Sequence, residues 1–135
     1  MRGWWILALA ISAPAAADVY TVGSGAQCTH ANVQDAITAG LQNGNGLDVI
    51  NVARNRTYSA QALVVQNDTV VIQGGYADCS STSADPANPT VLSGAGGSAA
   101  AVVRVQGNGN VTLRNLVLRD GDSGSDGGGL AVVDG

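Results

Sequence analysis

The chain has 135 residues, with 6 Lys+Arg against 10 Asp+Glu and a formal net charge of −4. Every basic residue is Arg and every acidic residue is Asp. That balance argues against nucleic acid or an anionic membrane surface as partner, because both call for a basic face. Plentiful Gly, Ala, Val, Asn and Thr, with no Lys or Glu, favour strands and turns over helices.

The first residues read as an export signal. Arg2 supplies one positive charge, Trp4 to Ile11 form a short apolar run, and Ala15-Ala16-Ala17 offer small side chains for cleavage before Asp18. The run is far short of the roughly 20 residues that span a bilayer. Both Trp residues fall within it and no Phe occurs, so the core must be Val, Leu, Ile and Ala. Without Arg2 the charge is about −5. Cys28 and Cys79 form an even pair, which in an exported chain reads as one disulfide.

In chain order, Asp18 to Val22 reads as a short strand ending at Gly23-Ser24-Gly25. Cys28 to Gly40 carries the one helical period, with Thr29 as N-cap and Val33, Ala36 and Ile37 on one face. Gly40 or Asn43-Gly44-Asn45-Gly46 stops it. Short apolar strands follow: Leu47 to Ala53, Leu63 to Gln66, Thr69 to Gln73, Thr90 to Leu92, Ala101 to Gln106, Val111 to Leu113, Leu116 to Arg119 and Leu130 to Val133. Gly and Asn separate them. Val111 and Leu113 fall on one face of a straight strand, and Leu116 and Leu118 on the other. A corner at Arg114-Asn115 would turn all four inward, and Asn tolerates the left-handed backbone a corner needs. The inward set is then Ile50, Val52, Val70, Ile72, Val103, Val105, Leu113, Leu116 and Leu118.

Steps of about 20 residues join Ile50 to Ile72, Leu92 to Leu113 and Leu113 to Val132, the period of a coiled solenoid. The expected fold is an all-β, right-handed parallel β-helix, a single-stranded solenoid with an N-terminal capping α-helix, represented by its first few coils. The expected division is a signal peptide over 1–17, a strand and capping helix over 18–46, and the first coils over 47–135. An antiparallel sandwich is the alternative. A doubly wound fold lacks the crossover helices it would need.

Asn32 to Ala39, then Leu47-Asp48-Val49-Ile50-Asn51-Val52-Ala53 and Thr57-Tyr58, resemble the entry of pectin-lyase-like right-handed β-helices. Val71 to Cys79, Thr90 to Gly94, Leu113 to Gly121 and Gly127 to Leu130 resemble later coils of bacterial secreted and outer-membrane members, including polymorphic autotransporter-like surface proteins. The resemblance implies a secreted or cell-surface module with a structural, adhesive or carbohydrate-contacting role. The alternative it implies is the N-terminal fragment of a polysaccharide lyase or glycoside hydrolase. The implied places are periplasm, outer membrane or cell surface, and extracellular space, and the implied partner is an extracellular polysaccharide or a host surface. Members run for many coils. The last strand, Leu130 to Val133, is therefore expected to be covered by further coils or to self-associate through an open end.

No catalytic set stands out. Asp120, Asp122 and Asp126 sit in a Gly/Ser loop and could offer oxygen ligands to calcium, though such a run also reads as a solvated acidic loop. Arg104, Arg114 and Arg119 could line a groove; beside Asp they read more simply as surface ion pairs. His30 is the single His and lacks a Ser or Cys partner in a matching motif. Asn55-Arg56-Thr57, Asn67-Asp68-Thr69 and Asn110-Val111-Thr112 match glycosylation sequons, read as chance matches beside a bacterial resemblance.

Overall fold

The computed structural model describes residues 3, 17–44, 46–124 and 128–133. The segment 1–17, read from sequence as an export signal, lies outside them apart from Gly3 and Ala17. The described chain runs β1 (Asp18–Val22), α1 (Val33–Asn43), β2 (Leu47–Ala53), β3 (Leu63–Gln66), β4 (Thr69–Tyr76), β5 (Thr90–Ser93), β6 (Val103–Gln106), β7 (Asn110–Arg114), β8 (Leu116–Arg119) and β9 (Leu130–Val133).

The strands form three short sheets, ordered β1-β2-β4-β7, β3-β6-β9 and β5-β8. Every strand pairing among them is parallel. The expected all-β, single-stranded, right-handed β-helix with a capping helix is therefore corrected. The chain is an α/β mix: one helix and three separate sheets of four, three and two parallel strands. Two features explain the difference. The connections are uneven, from Asn115 alone between β7 and β8 to the long loop 77–89 between β4 and β5. In addition, α1 contributes Val33, Ala36 and Ile37 to the same buried cluster as the sheets. The antiparallel sandwich is excluded by the same pairings. Of the three steps near 20 residues, only Ile50 to Ile72 joins register partners; Leu92 stands opposite Leu118, and Val132 opposite Val105.

The helix begins later than its periodicity predicts. Thr29 does not cap it. Its hydroxyl donates to the Thr21 carbonyl at 3.0 Å and accepts from the Thr21 amide at 2.9 Å, so this segment is held beside β1. Asn32 takes the N-cap position, and its Nδ2 donates to Asp35 Oδ2 at 3.0 Å. Gly44, at φ 73°, ends the helix in the left-handed conformation that glycine adopts at no steric cost.

Alternation along the strands directs Ile50, Val52, Val70, Ile72, Val103 and Val105 into the core. Leu113, Leu116 and Leu118 pack against it half-buried. The corner between β7 and β8 is Asn115 at φ 50°. Leu130 and Val132 stand in register with buried Val103 and Val105, yet they are 42% and 70% exposed. Among the described residues, β9 thus continues the register of the core stripe with Leu130 and Val132 exposed.

Candidate functional site

Cys28 and Cys79 form a disulfide with a Cα–Cα distance of 5.1 Å. It ties the loop before α1 to the loop after β4. Beside it, Asn55 Oδ1 accepts from the Ser24 amide at 3.0 Å, and Asn55 Nδ2 donates to the Ser24 carbonyl at 2.9 Å. The segment after β2, which carries Arg54 and Arg56, is thereby held in place.

That segment forms one wall of a groove of about 440 Å³. Arg54, Arg56 and Thr57 line it from the loop after β2; Thr90, Val91 and Ser93 from β5; Arg119 and Asp120 from the end of β8. Its floor is built by buried hydroxyls. The Tyr58 hydroxyl donates to the Ala53 carbonyl at 2.8 Å, with the Val22 carbonyl at 3.2 Å. Burial pushes this phenol up to about 12, against the pull of the nearby Arg56 charge. It is a fixed donor at neutral pH and not a base. Thr90 Oγ1 donates to the Val52 carbonyl at 2.9 Å and accepts from the Gly75 amide at 2.9 Å, joining β2, β4 and β5. Gly75 is at φ +88°, and a Cβ there would meet the Asp85 carbonyl at 2.8 Å.

At the far wall, Ser93 Oγ donates to Asp120 Oδ2 at 2.8 Å, and Arg119 Nε lies 3.4 Å from the same oxygen. Both partners of that ion pair are more than half exposed, so the pair contributes under about 1 kcal/mol.

The sequence-predicted residues are dispersed. Of Arg104, Arg114 and Arg119, only Arg119 lines the groove; Arg104 lies on β6 and Arg114 ends β7 in a different sheet. Arg54 and Arg56 were not singled out as charges. The signal was in plain view: an Arg-Asn-Arg run directly after a predicted strand. Asp120 faces Ser93, whereas Asp122 Oδ1 accepts from the Gly124 amide at 3.2 Å, closing a local turn. Asp126 lies outside the described residues. Among the described residues no group of three His, Cys, Asp or Glu could hold a metal ion. His30 Nδ1 lies 3.0 Å from Thr29 Oγ1, and its ring meets Tyr20 edge-on with centroids 5.5 Å apart. These are packing contacts.

No protein-family model, curated protein or solved structure matches the chain, so the resemblance to pectin-lyase-like proteins carries no family assignment. Among the described residues no helix is long and apolar enough to cross a membrane. That observation and the disulfide are compatible with export.

Proposed function

We propose that the chain is an exported surface module that acts by binding, in a structural or adhesive role, and that its groove contacts an extracellular polysaccharide bearing carboxylate or sulfate groups. One observation carries this reading. Arg54, Arg56 and Arg119 converge on one groove of a chain whose net charge is −4. Guanidinium groups match carboxylate and sulfate geometry through paired N–H donors. The hydroxyls of Thr57, Ser59 and Ser93 suit a sugar. A glycoside hydrolase needs two carboxyl groups flanking the bond; among the described residues lining the groove, Asp120 is the one carboxylate. Export rests on the Met1 to Ala17 pattern and fits the Cys28–Cys79 bridge. The implied destination is the periplasm, the cell surface or the medium.

The test is calorimetric titration of the protein with polygalacturonate and, separately, with neutral dextran. Binding to the acidic polymer should weaken with salt. Arg54→Gln, Arg56→Gln and Arg119→Gln should each weaken it roughly tenfold, the scale of one charge-assisted hydrogen bond. Equal binding to dextran, or indifference to all three substitutions, would remove the reading.

We propose further that a second copy of the chain covers the exposed edge at β9. Leu130 and Val132 present apolar side chains there, and β7, β8 and β9 each pair with one neighbour among the described residues. Open parallel edges recruit strands. Light scattering should report a mass above the monomer that rises with concentration, and Val132→Asp should return it to the monomer. A wild-type monomer at every concentration would refute this.

A further inference from the structure

Asp48 is wholly buried in β2, beneath α1. Its Oδ1 accepts from Asn43 Nδ2 at 3.0 Å, and the same amide reaches Asp18 Oδ2 and the Tyr20 hydroxyl, both at 2.7 Å. The other oxygen, Oδ2, lies against Gly40, where an added Cβ would collide with it. Gly40 is thus the helix position that admits the carboxyl. Asp68, in the turn between β3 and β4, is arranged in the same way: Oδ1 accepts from the Thr69 amide at 2.8 Å, while Oδ2 is buried. Neither Oδ2 has an ordinary donor, and the two carboxyl groups lie within hydrogen-bonding reach of each other.

Two ionised oxygens at that separation repel, and burial strengthens the repulsion. Among the described residues, the elements packed around the two carboxyl groups bring no cation. β1 supplies Asp18 and Tyr20, α1 supplies Gly40 and Asn43, and β1, α1, β2, β3 and β4 carry neither Arg nor Lys. We infer that Asp48 and Asp68 hold one proton between their Oδ2 atoms, and that this proton latches α1 and the β3–β4 turn onto β2.

The Asp68 carboxyl is accordingly held above its ordinary value of 3.8, chiefly by burial, then by the Asp48 charge and hydrogen bond, against the opposing Thr69 amide. The sign follows. A raised folded-state value stabilises fully below the unfolded value and is lost as pH rises through the folded one. The latch therefore weakens from about pH 4 upward, until the pair has given up its proton.

The experiment follows hydrogen exchange of the α1 amides and the carboxyl region of the infrared spectrum across that range. Wild type should retain a protonated-carboxyl band above the ordinary carboxyl range, and α1 protection, taken relative to the unstructured exchange rate at each pH, should fall as the band fades. The change should be roughly tenfold for each unit by which the pair holds its proton above an ordinary carboxyl. Asp68→Asn replaces the shared proton with a fixed amide donor; it should abolish both the band and the pH dependence. Asp48→Asn serves if that variant fails to fold. Absence of the band in wild type overturns the inference. So does stabilisation of wild type, but not of Asp68→Asn, by added calcium, since the pair would then hold a cation.

Discussion

Removal of the Cys28–Cys79 bridge, as the Cys28→Ala/Cys79→Ala double variant, is expected to lower stability by about 4 kcal/mol. The cysteines are 51 residues apart in sequence, and closing a loop of that size removes much entropy from the unfolded chain. A folded domain of this size is stable by only about 5–15 kcal/mol, so this one bond accounts for a large share. The loss should be visible as a lower urea midpoint. It should be accompanied by faster exchange at residues 23–28, which the bridge and Asn55 hold against the loops after β2 and β4. A loss below about 1 kcal/mol would show that the surrounding contacts fix these loops without it.

Ile72→Ala should cost about 2–5 kcal/mol. Ile72 has no exposed surface and lies in register between Ile50 and Leu113. Sheet neighbours on both sides fix its surroundings, so they cannot close around the void. Leu113→Ala removes a side chain of the same volume from a half-buried position, and its cost should be clearly smaller. Urea denaturation of the two variants decides the point. Equal losses would mean that Leu113 is as enclosed as Ile72.

The positions of the strands were legible because β-branched runs are punctuated by Gly and Asn. The corner at Asn115 was legible because the hydrophobic face switches between Leu113 and Leu116. The arrangement of the strands was not. A hydrophobic spacing near 20 residues suggested one uniform coil, but the connecting loops vary so much that Leu92 meets Leu118 and not Leu113. Pairing depends on which edges come together in space, and apolar spacing along the chain does not encode that. The helix start was misplaced because Thr29 satisfies capping rules locally, while β1 competes for its hydroxyl. Of the charged groups in the groove, Arg119 and Asp120 were among the candidates, but Arg54 and Arg56 converge on it from a loop whose course depends on the disulfide and Asn55. The Asp48–Asp68 contact was invisible because it joins a strand to a turn beneath a helix.

Two pairs of neighbouring strands have the same spatial relation and very different connections. β4 lies beside β7 and β5 beside β8, both in parallel register. The passage from β7 to β8 is Asn115 alone, whereas the passage from β4 to β5 is the loop 77–89. Strand placement here is insensitive to the length of chain between strands, because register is set sideways by neighbours. Loop closure adds little as a loop lengthens. The stretch after Cys79 is therefore a port for foreign sequence. A peptide epitope or a small folded domain spliced between Thr82 and Ser83, both exposed, would be displayed on the loop that leads into β5, with the scaffold beneath it undisturbed.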